Sequence, residues 1–157
     1  MIPQEIRAVL RRLEDAGHQA YVVGGCVRDM CLGLPPHDWD AATSALPEET
    51  MALFDHFAIP TGLQHGTVTV RSGGLSCEVT TFRADGAYPD HRHPAGVTFT
   101  RSLEEDLARR DLTVNAMAMD AQGQLYDPCG GQEDLRRRVL RCVGEPERRF
   151  REDALRI

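Results

Sequence analysis

The stretch from Tyr21 to Thr43, Y-V-V-G-G-C-V-R-D-M-C-L-G-L-P-P-H-D-W-D-A-A-T, decides how the rest of the chain is read. Tyr21, Val22 and Val23 are strand formers that run into Gly24-Gly25, so a strand ends in a tight turn. A short helix follows, closed by Gly33 and barred from continuing by Pro35 and Pro36. Asp38-Trp39-Asp40 opens a second strand. Side chains two apart on a strand share a face, with Cα atoms roughly 7 Å apart, so Asp38 and Asp40 present two carboxylates together. Such carboxylates repel, and one tends to stay protonated unless a cation sits between them. A hard cation with oxygen ligands, Mg²⁺ above all, removes that problem and can hold triphosphate oxygens as well.

The glycines ahead of the helix let backbone N–H groups approach an anion, and the helix dipole favours it. Arg28 lies one turn into that helix and is placed to clamp a phosphate in a two-pronged way. A phosphate cradle beside a metal-binding carboxylate pair is the minimum equipment for nucleotidyl transfer. Each part alone says little. Gly-Gly turns precede many helices, and a D-x-D on a strand edge is more often a solvated face or a turn. Their conjunction at this spacing, with an Arg-Asp in the helix, carries the reading.

Upstream, Pro3 to Ala16 reads as an amphipathic helix, with Ile6, Val9, Leu10 and Leu13 on one face. Downstream, Pro47-Glu48-Glu49 starts another, with Met51, Phe54 and Phe57 toward the core. Phe57 to Ile59 suggests a short strand, and Thr67 to Arg71 alternates as a strand does. Ser72-Gly73-Gly74 makes a hairpin tip, and Leu75 to Arg83 is the return strand. Its Leu75, Cys77 and Val79 share one face, and Ser76, Glu78 and Thr80 the other. Two readings stay open for Glu78: a third carboxylate beside Asp38 and Asp40 if its strand is their neighbour, or a solvated strand residue.

Ala84 to Gly96 reads as a mobile loop. Its His91 and His93 lack the further ligands that a zinc site needs. Ser102-Leu103-Glu104-Glu105 is a capping box that starts a helix. Gln124 to Asp127 suggests a strand, Asp134 to Arg138 a helix, Val139 to Val143 a strand, and Pro146 the start of one more helix.

With 157 residues the chain has room for one domain with a proper core. Its apolar runs are too short to span a membrane, and its start lacks the pattern of a signal peptide. Five cysteines without a C-x-x-C favour reduced thiols in a cytoplasmic protein. The net charge of −6 counts against this segment gripping a nucleic acid backbone over a large area. Nothing in the sequence fixes an oligomeric state.

Three motifs, in order, resemble those of class II tRNA nucleotidyltransferases and bacterial poly(A) polymerases. The first is G-G-x-V-R-D-x-L-x-G followed by D-x-D, at Gly24 to Asp40, with Cys31 at the motif's Leu position. The second, R-R-D-F-T-I-N-A, is matched by Arg109 to Ala116 with Leu112 and Val114 as conservative changes. The third, E-D-x-x-R, falls at Glu152, Asp153 and Arg156.

The resemblance implies an α+β fold, a polymerase-β-like head of mixed sheet and flanking helices over residues 1–143. The start of a helical neck follows over 144–157. It implies template-independent transfer of CMP and AMP from CTP and ATP to a tRNA 3′ end, with two Mg²⁺ ions on Asp38 and Asp40. Gly25, Arg28 and either Arg109 or Arg110 would meet phosphates, and Asp111 and Asn115 the ribose hydroxyls. Asp153 and Arg156 would read the base: Asp only accepts hydrogen bonds and Arg only donates them, a match for cytosine and adenine alone. A poly(A) polymerase, a CC-only or A-only enzyme, and a non-catalytic nucleotide-binding module are the alternatives. Because the chain stops at Ile157, the expectation is a head that continues into helical domains, which would bind most of the tRNA.

Overall fold

The computed structural model describes residues 1–84 and 98–144. The His91–His93 pair, nearly all of the predicted 84–96 loop and the motif at Glu152, Asp153 and Arg156 lie outside the described residues.

The first helix, α1, runs from Gln4 to Asp15 and buries Ile6, Val9, Leu10 and Leu13, the four residues its spacing selects. It packs on the sheet beside α3 (Pro47–Phe54), whose Phe54 is buried. Phe57, expected in the core, is instead 48% exposed: the chain turns through a short 3₁₀ segment at Asp55–Phe57 and swings the ring outward.

Seven strands form one mixed sheet. They are β1 (Ala20–Val23), β2 (Trp39–Thr43), β3 (Ala58–Gly62), β4 (Thr67–Ser72), β5 (Leu75–Thr81), β8 (Ala118–Met119) and β9 (Leu125–Tyr126). Their order across the sheet is β3-β4-β5-β2-β1-β8-β9. Only β2 and β5 pair in parallel; every other neighbour is antiparallel. A two-stranded ribbon, β6 (Arg83–Ala84) with β7 (Thr98–Phe99), lies beside it. The β4–β5 hairpin turns at Gly73 and Gly74, with φ of 54° and 83°, a pair of left-handed residues that suits a tight hairpin.

Alternation sorts the strands' side chains between two layers. Val22, Ala41, Val68, Val70, Cys77 and Val79 face α1 and α3 and make the main core. Val23, Ala42, Phe82 and Ala118 face the other way, under Leu103 and Leu107 of α4 (Leu103–Ala108). That second face also carries Asp40 and Glu78.

The predicted strand at Val139–Val143 is absent as a strand. The segment follows α5 (Gly131–Arg137) and makes one antiparallel bridge, Leu112 to Cys142, while Leu140 is 79% exposed. Two backbone hydrogen bonds, Thr113 N–H to Arg141 O and Val143 N–H to Asp111 O, tie it instead to the residues of the second motif.

Candidate active site

Gly24 adopts φ 78° and ψ −138°, a conformation open to glycine and strained for any residue with a side chain. Its carbonyl accepts from the N–H groups of Val27 and Arg28 at 3.1 and 3.2 Å and so closes the first turn of α2 (Gly25–Cys31). Two guanidinium groups flank this turn. Arg28 Nη2 stands 3.3 Å from where a β-carbon would sit on Gly25, and Arg110 Nη1 stands 3.4 Å from the same point on Gly24. The glycines are therefore small where two cations close in.

Each arginine is held from behind. Arg28 meets Asp29 Oδ1 through Nε and Nη2, at 3.1 and 3.0 Å. Its Nη1 donates to Asn115 Oδ1 at 2.9 Å. A guanidinium has five N–H donors, so donors on Nη1 and Nη2 remain for a ligand. Arg110 Nη2 pairs with Asp106 Oδ2 at 3.3 Å, one helical turn back. Asn115 ends a 3₁₀ turn at Thr113–Asn115 that packs against α2. Asp111, two residues before that turn, accepts the Leu112 N–H on Oδ1 at 2.8 Å.

The carboxylates sit on the neighbouring strands. Asp40 on β2 is the direct partner of Glu78 on β5. Of the two readings left open for Glu78, the parallel pairing supports the first: its strand is the neighbour. Strand β2 begins at Trp39, so Asp38 lies in the bend just before it and is exposed, one residue short of the strand start expected from the sequence. Partial burial raises the Asp40 pKa, and the charge of Glu78 raises it further; Arg110 acts in the opposite sense, and Asp38 adds to the rise.

Among the described residues, no group of three or more His, Cys, Asp or Glu side chains is arranged to hold a metal ion by itself. The donor set nevertheless fits a hard divalent cation. Mg²⁺ commonly takes one or two carboxylates and completes its shell with water and substrate phosphates. Burial and, after it, the charges of Glu78 and Asp38 raise the Asp40 pKa, and a bound cation would offset both.

Sequence reasoning did not find the supports behind these groups. Asp106 is 1% exposed and lies within 3.6 Å of Arg109 Nε and 3.3 Å of Arg110 Nη2, and its four-residue spacing from Arg110 was the available signal. Buried Asp134 accepts from the Thr113 hydroxyl at 2.6 Å, beneath the turn that carries Asn115. Gly131 packs against the Thr113 backbone so closely that a β-carbon there would overlap the carbonyl oxygen. Asp127 caps α5, accepting the Gly131 and Gln132 N–H groups at 2.7 and 2.9 Å. A separate cavity of about 640 Å³ is lined by Gln19, Tyr21, Arg101 and Tyr126 among others, and by none of the groups that flank the glycine turn.

No helix among the described residues is long and apolar enough to cross a membrane. The CCA-adding enzymes of Geobacillus stearothermophilus and Lactobacillus helveticus are each 56% identical to this chain, over 98% and 95% of its length. The chain spans only 38% and 37% of those relatives. A crystal structure of the Bacillus stearothermophilus CCA-adding enzyme in complex with CTP superposes with a TM-score of 0.89 at 54% identity. That match covers 99% of this chain and 38% of the other. The model of the poly A polymerase head domain matches residues 20–141, which hold the glycine turn, the paired carboxylates and the second motif, and the chain belongs to that family.

Proposed function

We propose that this chain is the catalytic head of a template-independent RNA nucleotidyltransferase that transfers CMP and AMP from CTP and ATP to a tRNA 3′ end, releasing pyrophosphate. The observation that carries the reading is the Asp40–Glu78 pairing on the same side of the molecule as a glycine turn flanked by Arg28 and Arg110. Relatives named as CCA-adding enzymes, one of them solved with CTP, support it.

Asp38 and Asp40 would hold Mg²⁺, with Glu78 beside them. Two such ions, when bound, would supply positive charge at the attacking hydroxyl and at the leaving pyrophosphate. The chain's own work is binding and orientation. Gly24 and Gly25 leave room for phosphate oxygens between the guanidiniums, and Arg28 and Arg110 donate to them. Arg110 stands on the glycine turn, which favours it over Arg109 for phosphate contact. Asp111 and Asn115 are the proposed ribose contacts. Asp153 and Arg156, outside the described residues, are the proposed base readers. A charge of −6 is consistent with most tRNA contact being made beyond this domain, and the cytoplasm, where tRNA is matured, is the proposed location.

The test is incorporation of labelled CMP and AMP, with Mg²⁺, into tRNAs lacking one, two or three terminal nucleotides, using the full-length protein. Ordered addition that stops at the natural end supports the reading. Long A tails without CMP addition would make it a poly(A) polymerase. CMP alone or AMP alone would mark a partial enzyme. Nucleotide binding without any transfer would leave only the non-catalytic module.

A further inference from the structure

We propose that Asp106 is a positioning residue that aims the Arg110 guanidinium at the glycine turn. It is buried at 1% exposure at the inner face of α4, where an unpaired charge would be costly. Its two oxygens are used differently. Oδ1 accepts the backbone N–H of Arg83 at 2.9 Å and lies 3.6 Å from Arg109 Nε. Oδ2 takes Arg110 Nη2 at 3.3 Å. The Arg83 bond anchors the carboxylate to β6, so the acid is fixed to the two-stranded ribbon as well as to its helix.

Arg110 lies just past the end of α4 and would otherwise be a long, freely rotating side chain. Holding an arginine still costs rotamer entropy. Asp106 makes that payment during folding, so a triphosphate meets a guanidinium already in place. The two groups are one turn apart on the same face, and Arg110 Nη1 is left pointing at Gly24. Asp106 itself is too buried to touch a ligand. This inference rests on the phosphate-binding reading of Arg110 given above.

The experiment follows the Arg110 guanidinium by ¹⁵N NMR, and the affinity for inorganic triphosphate with Mg²⁺ by calorimetry. In the unaltered protein, rotation about the Arg110 Cζ–Nη bonds should be slow compared with Arg11 and Arg71, which are exposed. Asp106→Asn should release that rotation and weaken triphosphate binding about tenfold, the scale of one charge-assisted contact. In an Arg110→Gln background the same change should weaken binding less than about twofold, because the two groups act as a unit.

An acid that merely stabilises the fold would weaken binding equally in both backgrounds, and that result overturns the proposal. So does free rotation of Arg110 in the unaltered protein, a measurement that stands even where Asp106→Asn does not fold. If the unaltered protein binds no triphosphate while Arg110 loses its order in Asp106→Asn, the positioning role stands and the phosphate-binding reading fails.

Discussion

Asp40 and Glu78 are direct partners across the one parallel strand pair in the sheet, and the charge of Glu78 is second only to burial in raising the Asp40 pKa. A fold that places two acids side by side on adjacent strands keeps a repulsion that apolar residues would remove. Binding a cation is the use of that repulsion consistent with the rest of the site.

The first prediction takes the sign of that shift. A carboxyl whose folded pKa lies above its unfolded value takes up protons on folding, so stability falls as pH rises through the folded pKa. Asp40 therefore costs stability at neutral pH in metal-free protein. Asp40→Asn should raise Tm by a few degrees in EDTA while abolishing Mg²⁺-dependent nucleotide binding. A lowered Tm together with normal Mg²⁺ dependence would remove Asp40 from the site.

A second prediction concerns transfer itself. Asp38→Ala and Asp40→Ala should each abolish nucleotide addition with the fold kept. The double variant should be little worse than either single one, because ligands of one site act as a unit. Near-normal addition by either single variant would break the assignment of the pair. Glu78→Gln, which removes a neighbouring charge, should reduce addition less than either.

How much of this was legible follows from which interactions are local. Ile6, Val9, Leu10 and Leu13 announce α1 because a helix is written in neighbouring residues, and all four are buried. Ser72-Gly73-Gly74 announces the hairpin for the same reason. The pairing of Asp40 with Glu78 joins strands far apart in the chain, and no local pattern sets it. The burial of Asp106 is likewise a product of how α4 meets the sheet. At Val139–Val143, β-propensity was overridden: tethered by Thr113 and Asp111, the segment makes one bridge and no ladder.

The third prediction uses Gly131. Its φ is outside the left-handed region, so conformation does not demand glycine there; space does. A β-carbon would overlap the Thr113 carbonyl oxygen and stand 2.8 Å from the carbonyl carbon. Backbone cannot rotate aside as a side chain can. Gly131→Ala should therefore cost about 3 kcal/mol, the upper end for overpacking, or a Tm drop of about 6–12 °C for a chain of this size. Because the 3₁₀ turn carries Asn115, nucleotide affinity should fall too. A thermal melt within a degree of the unaltered protein would show that α5 slides freely, contrary to this packing.

Acid stability supplies the fourth. The Thr113 hydroxyl, followed by Arg141, holds the Asp134 carboxyl below the usual carboxylate range. A depressed folded pKa stabilises above the unfolded value and loses that contribution as pH falls through the folded one. The stability gap between the unaltered protein and Thr113→Val should thus be full at pH 7 and shrink below about pH 4. Urea unfolding at several pH values measures it, and a gap of constant size would mean that the hydroxyl does not act through the carboxylate charge.

The last prediction concerns sugar choice and starts from the Arg28–Asn115 bond of 2.9 Å. Asn115 accepts there through Oδ1, which fixes the amide so that its two N–H donors face away from Arg28. Those donors are what a ribose hydroxyl oxygen needs, and a deoxyribose offers one acceptor fewer. Asn115→Ala should narrow the preference for ATP over dATP by about tenfold, the scale of one hydrogen bond to a site built around it. It should also weaken both nucleotides together, because Arg28 loses its partner and swings more freely. Asn115→Asp separates the two effects: it keeps an acceptor for Arg28, so affinity for dATP should fall less than in Asn115→Ala, while its carboxylate can meet a ribose hydroxyl only as an acceptor. If the ATP-to-dATP ratio is unchanged in both variants, Asn115 serves Arg28 alone, and Asp111 becomes the residue to test.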